Sequence, residues 1–414
     1  MASFRFAFLW SGRAPLDWPT VRSGLLAGYF LFMAGLAVIR LAYAYRPERH
    51  VWILGDWLIN YQGGFVRRGL PGQVAYWLGT RWFDPGLVAA GMIALVYVLF
   101  LGFSYLNLRA QPSLWPYYLF FWAPFLFWFP VLDIHGGYRK EILFLALLAG
   151  LVWRVGRAPA RSGPAIFAAL GLYPILLLSH EALLAYLPYV GLVAEWARAR
   201  GARLPGRVWY GLWAANVVVW LGVIMHPGTA HHEQAILASL APRYPISAQG
   251  AIGWLDRTLA FQFRNYAPRY LDARLMAHFG AFFPAAGLAF VPLAPRLRWW
   301  WRRLQTWAWG AASGIMTLAL MAVAKDWGRF WYVHAAAWFL LCLLDRTPLP
   351  WRLEPRALYG LYLALGPLYA HAWWWHHVRG VIVTGAGWPF WEQRVATYLS
   401  WARQVREWLP HLTP

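Results

Sequence analysis

Cysteine, lysine and acidic residues are all scarce in this chain. The single cysteine, Cys342, lies inside an apolar run, which excludes an intramolecular disulfide, a thiolate metal cluster and a Cys-X-X-Cys redox motif. Lysine occurs only at Lys140 and Lys325, so nearly all of the 37 basic residues are arginine, against 16 acidic ones. Charged residues make up 13% of the chain, about half the share usual in a soluble domain. No Gly-x-Ser-x-Gly elbow, P-loop or dinucleotide fingerprint occurs, which leaves nucleophilic hydrolysis and nucleotide-driven chemistry without a motif. Internal repeats and inverted pairs of broken helices of the transporter kind are missing as well.

What is abundant is apolar and aromatic surface: 60% of residues are hydrophobic and 19% aromatic. That composition predicts an all-α, polytopic transmembrane helix bundle. Apolar runs at 23–43, 86–106, 115–132, 141–153, 164–178, 182–196, 208–226, 275–294, 307–324, 330–345 and 357–375 give about eleven spans, several shorter than the roughly 20 residues of a full crossing. Residues 1–375 form the expected membrane domain, with large outer loops at 44–85 and 227–274. An outer tail follows at 376–414, in which 389–409 has helical spacing of apolar and charged residues suited to the membrane surface. Residues 73–83 are expected to lie on the membrane similarly. The N-terminus carries Arg5, Arg13 and Arg22 before the first long run and is read as cytoplasmic, with an uncleaved first span.

The formal charge is +21. Its arginines are scattered through short loops such as 154–163, 198–207 and 295–306, as the positive-inside rule requires, and form no compact basic domain. Nucleic acid is therefore not an expected partner. Trp299 to Trp301 and Trp373 to Trp375 are read as interfacial anchors.

Four polar islands interrupt the apolar chain, and the threading places all of them at the outer face: Gly55-Asp56-Trp57, Asp133 to Glu141, Ser179-His180-Glu181, and Lys325 to Arg329. Ionisable residues beside membrane spans mark a functional site by default, because each costs about 2.5 to 3.5 kcal/mol to insert. After Asp56 come Asn60, Tyr61, Gly63-Gly64 and then Arg67-Arg68, two planar forks suited to phosphate. Asp56 either meets a ligand or pairs with Arg67 or Arg68 to fasten the loop. In the second island Arg139 and Lys140 are anion-binding candidates. Asp133 and Glu141 are candidates to bind a metal, to hold those bases or to cap helices.

His180 and Glu181 make a proton-transfer pair, metal ligands or a contact between helices, although neighbours on a helix do not share a face. In the last island Asp326 can pair with Arg329 across one turn, leaving Lys325 for an anion. His231-His232-Glu233 and His376-His377 lack the spacing of a helical zinc site and are expected to be solvated loop histidines.

Carboxylates, cations and aromatics gathered beside hydrocarbon suit a substrate with a lipid tail, a phosphate and a polar head. The expected chemistry is glycosyl transfer from a polyprenyl-phosphate-linked sugar donor to a glycan, lipid or protein acceptor. Asp56, Asp133 and Glu181 are the catalytic candidates. Asn60, Tyr61, Arg67, Arg68, Arg139, Lys140, His180, Lys325, Asp326 and Arg329 are the substrate-binding ones.

In its number of spans, its N-terminus inside and its acidic residue (Asp56) in the first outer loop, the chain resembles the GT-C superfamily of polytopic membrane glycosyltransferases. Its DWLINYQGGFVRRG and GGYRKE segments are similar to those of bacterial membrane proteins of surface-polysaccharide synthesis. The resemblance implies a bacterial inner-membrane enzyme with an outward active site. It also makes Asp56 a catalytic base or a ligand to a divalent cation such as Mg or Mn. The paired Asp-Asp or Asp-Glu of some members is missing here.

A non-catalytic assembly partner, in which the islands are inert salt bridges, is one alternative, and two more remain. One is an O-antigen-type polymerase or ligase working through Arg243, Arg257, Arg264 and Arg269 of the second large loop. The other is a lipid or oligosaccharide transporter without chemistry, which needs ionisable residues along a path through the membrane.

Overall fold

The computed structural model describes residues 18–45, 51–268, 282–324, 326–349 and 363–370. Among these residues every regular element is helical. Four helices are long and apolar enough to cross a membrane: α1 (Trp18–Ala44, with the apolar stretch from Thr20), α4 (Pro85–Arg109), α10 (Gly206–Ile224) and α15 (Leu304–Val323). Between them lie α2 (Val51–Leu58), α3 (Gly69–Arg81), α5 (Phe129–Leu132), α6 (Ile134–Gly137), α7 (Glu141–Arg157), α8 (Gly163–Ser179), α9 (Pro188–Arg198), α11 (Ala230–Leu240), α12 (Leu259–Tyr266), α13 (Phe282–Phe290) and α14 (Ala294–Trp301). α16 (Trp327–Cys342) follows α15. The long helices keep broad apolar faces exposed, including Leu25, Leu31 and Ile39 on α1 and Tyr210 and Val218 on α10. Contiguous apolar surface of that extent belongs against lipid.

Several expected spans are not single helices. Residues 115–132 contain Pro116, Pro124 and Pro130. They form a 3-10 turn at Trp115–Phe121 followed by turns and the four-residue α5. Proline removes a backbone donor and breaks helix propagation, so this apolar segment folds inward, burying Phe120, Phe125, Phe127 and Phe129 in the core. The run at 182–196 is divided the same way by Pro188, into a 3-10 turn at Glu181–Tyr186 and α9. The tail helix expected at 389–409 lies outside the described residues. The surface helix expected at 73–83 is α3, which starts earlier. Its glycine and alanine face packs on α2 and α4, while Val74 and Trp77 stay exposed.

The bundle has two chemically distinct ends. At one, arginines clamp the carbonyl groups where helices finish. Arg22 donates to the carbonyls of Pro112 and Gln111 at 3.0 Å each, just past α4. Arg346, beyond α16, reaches the Trp153 carbonyl near the end of α7 at 3.4 Å. Buried Arg296 donates to Gln111 Oε1 at 2.8 Å, to the Cys342 carbonyl at 2.6 Å and to the Thr347 carbonyl at 3.0 Å. Cations at helix C-termini complement the helix dipole.

α7 and α16 begin, and α8 ends, at the opposite end, where the polar islands lie. Polar contacts tie the helices together in between: Asn107 Nδ2 donates to the Ala149 carbonyl at 2.9 Å and Asn216 Nδ2 to the Leu170 carbonyl at 3.0 Å.

Candidate functional site

Close backbone approach sets the first island in place. A side chain at Gly72 would collide with the Ile59 carbonyl, so α3 can lie against the end of α2 only with glycine there. Trp57 Nε1 donates to the Tyr138 carbonyl at 2.9 Å, and the Tyr138 hydroxyl to the Ala37 carbonyl at 2.8 Å. These bonds lock α2 and the second island to α1. The loop closes at Arg68, the non-glycine residue with positive φ among those described (φ 67°, ψ 6°). That left-handed conformation costs about 1 to 3 kcal/mol for a side-chain-bearing residue and persists where its surroundings impose it. Here Lys140 Nζ donates to the Arg68 carbonyl at 2.8 Å.

The four islands meet in one buried network of charge. Asp56, fully buried, has Arg139 Nε at 3.6 Å and Lys140 Nζ and Arg68 Nη1 at 4.0 Å each. Glu181 accepts from Arg68 Nε at 2.9 and 3.0 Å, from a second Arg68 nitrogen and from Arg67 at 3.2 Å. His180 links Glu181 (3.7 Å) to Glu141 (4.0 Å), and Arg329 links Glu141 (3.3 Å) to Asp326 (3.4 Å). Many of these atoms are buried with no hydrogen-bond partner: both Asp56 oxygens, both Glu141 oxygens, His180 Nε2, and Arg67, Arg139 and Arg329 Nε. Buried polar groups without partners are rare and mark places where water or a ligand belongs.

His180 and Glu181 reach the same network because the chain is extended there. His180 has φ −162° and ψ 117° between α8 and the 3-10 turn, so the rule that neighbours on a helix diverge does not apply. His180 Nδ1 accepts from the Ala182 N–H at 3.1 Å, which leaves the proton of the neutral ring on Nε2, toward Glu141.

The electrostatics separate the carboxylates. Burial pushes the Asp56 carboxyl up, but Arg139 and Lys140 more than offset it and hold it below the usual carboxylate range. Burial likewise drives the Lys140 ammonium down to about 8, against the pull of Asp56. Asp133 does not join the ion network. Its Oδ1 caps α6 by accepting from the Gly136 N–H at 3.0 Å, and burial raises its carboxyl to about 7.

The remaining expected residues fall elsewhere. Asn60 donates to Ser239 Oγ at 3.1 Å and accepts from the Gln62 N–H at 3.1 Å, which makes it a loop fastener. Tyr61 stacks on Phe65 with ring centroids 5.3 Å apart. Lys325 lies outside the described residues, as do His376, His377 and Arg269. Arg243 donates to the Gly79 carbonyl at 2.6 Å at the end of α3, and Arg257 pairs at the surface with Asp256 at 3.5 Å. His231 and His232 occupy the first turn of α11 rather than a loop.

Tyr186 and Tyr332, which sequence gives no reason to select, have buried hydroxyls without hydrogen-bond partners. A divalent cation does not fit the first-loop acid. Asp56 already faces three cations, and no group of three His, Cys, Asp or Glu able to hold a metal occurs among the described residues. No protein-family model, curated protein or solved structure matches the chain.

Proposed function

We propose that this protein is a membrane glycosyltransferase of GT-C-like architecture that moves a sugar from a polyprenyl-phosphate-linked donor to a glycan, lipid or protein acceptor. In this reading the chain makes about eleven membrane crossings, counting tilted and broken segments, and the site faces the outer leaflet of a bacterial inner membrane. One observation carries it: four sequence-distant islands form a single buried network of carboxylates and cations, at one end of a bundle with lipid-facing helices.

Each half of the chemistry has residues suited to it. Glycosyl transfer from a lipid phosphate needs cations where charge builds on the departing phosphate, and Arg67, Arg68, Arg139 and Lys140 are such cations. It needs a carboxylate near the acceptor hydroxyl. Asp56 and Glu181, held as weakly basic anions by their neighbours, serve better to organise those cations than to take the proton, so the proton acceptor is sought between Asp133 and Glu141. A polymerase working through the second large loop has less support, since Arg243 and Arg257 are engaged away from the network. A transporter path lacks support too, because the arginines at the far end are clamped on helix carbonyls.

The test is transfer of labelled sugar from a panel of polyprenyl-phosphate sugars by purified protein in lipid. Product formation supports the assignment. Uptake of a lipid-linked glycan into vesicles without any product would replace it with transport.

A further inference from the structure

The charges of the buried network are not evenly mixed. Around Asp56 and Glu181 stand four cations, Arg67, Arg68, Arg139 and Lys140, which leaves two positive charges in excess. Around Arg329 stand two carboxylates, Glu141 and Asp326, which leaves one negative charge in excess among the described residues. Neutral His180 lies at the seam, within 3.7 Å of Glu181 and 4.0 Å of Glu141.

Each half also has partly exposed side chains. The Arg68 and Glu181 side chains are 20% and 13% exposed and Asp326 is 34% exposed, while Asp56 and Lys140 between them are fully buried. Glu181 fills the fork of Arg68 but takes a single nitrogen of Arg67, whose buried Nε makes no hydrogen bond; nor does that of Arg139. At the other half the buried atoms that make no hydrogen bond include both Glu141 oxygens, Arg329 Nη1 and the Tyr186 and Tyr332 hydroxyls.

We infer that the network is electrically divided into two subsites. Arg67, Arg68, Arg139 and Lys140 seat a phosphoryl or diphosphoryl group, and the half formed by Glu141, Arg329 and Asp326 rejects that anion and receives an uncharged hydroxyl group. Two excess cations match the charge of about −2 on a phosphoryl group, and paired planar forks with a lysine point charge suit its oxygens. An anion entering at Glu141 meets a carboxylate with a single arginine partner, whereas a hydroxyl finds both acceptors and donors there. The division deepens the proposed glycosyl transfer, placing the donor phosphate on one side and the acceptor hydroxyl on the other.

The test reads binding alone, so it stands apart from whether a sugar is transferred. Inorganic diphosphate is titrated calorimetrically into the full-length protein in phosphatidylcholine nanodiscs. The wild type is expected to bind, and Arg68→Gln to bind about tenfold or more weakly. Arg329→Gln should change affinity less than about threefold, and Glu141→Gln should bind as tightly as the wild type or more tightly.

If a single neutralised residue impairs folding, Arg68→Lys keeps the charge and removes the fork. The paired Glu141→Gln/Arg329→Gln variant removes both charges of the other half. Weaker binding by Arg68→Lys and retained binding by the pair support the division. No binding by the wild type, or equal losses in Arg68→Gln and Arg329→Gln, would overturn it.

Discussion

Arg68 and Glu181, 113 residues apart in sequence, are joined by the Arg68 Nε donating to both carboxylate oxygens at 3.0 and 2.9 Å. The contact fastens the loop before α3, where Arg68 has its left-handed backbone, to the break between α8 and the 3-10 turn. A double-mutant cycle of Arg68→Gln and Glu181→Gln, read by thermal unfolding in lipid, should give a coupling energy of about 1 to 3 kcal/mol. Additive effects would show that the two side chains do not support each other.

Asp56 is expected to be indispensable for a reason other than proton transfer. With Asn at this position, Arg139 and Lys140 remain buried without their shared counter-ion, and breaking a buried pair costs about 3 to 5 kcal/mol. Asp56→Asn should therefore lower the melting temperature of the purified protein and reduce activity about a hundredfold or more. An unchanged melting curve would remove its role in organising the cations.

Gly72 positions the site without taking part in it. In Gly72→Ala the added methyl meets the Ile59 carbonyl, so α3 must move off α2 and draw Arg68 away from Asp56. The expected result is a loss of about 1 to 3 kcal/mol with reduced activity, whereas alanine at Gly91, which meets no atom within 4 Å, should have little effect. Equal behaviour of the two variants would contradict the close approach.

Asp133 should make stability depend on pH with a defined sign. Burial raises its folded-state value to about 7, above the ordinary aspartate value of about 3.9, so between those values the folded state binds more protons and stability falls as pH rises. Asp133→Asn keeps an acceptor for the Gly136 N–H and cannot ionise. The stability of Asp133→Asn relative to wild type should therefore increase from pH 5 to pH 8, measured by melting in lipid. A difference independent of pH would show that Asp133 does not titrate in this window.

The islands were legible in the sequence because a charge in an apolar run is costly enough to need a partner. Their nearby partners were legible too, Arg329 for Asp326 across one turn and Arg68 beside Asp56, but the distant ones were not. Two of the three cations around Asp56 come from residues some eighty positions later, and nothing local to GDW announces Arg139 and Lys140 beside it. Glu141 read as a cap or as a holder of bases, because only the fold brings Arg329 and His180 to it. No sequence pattern sets Tyr186 and Tyr332 apart from other aromatic residues of the core. The apolar run at 115–132 passed the hydropathy criterion, while its three prolines, which decide against a single helix, carry no weight in that criterion. His180 and Glu181 were judged by helical geometry that the chain abandons at Ser179.

The most direct measurement is a sugar-transfer assay on purified protein in lipid, with a panel of polyprenyl-phosphate sugars and Asp56→Asn run beside the wild type. The expected result is labelled product from the wild type and about a hundredfold less or none from Asp56→Asn. No product from folded wild-type protein across the panel, or equal product from both, would contradict a glycosyltransferase built on this charge network.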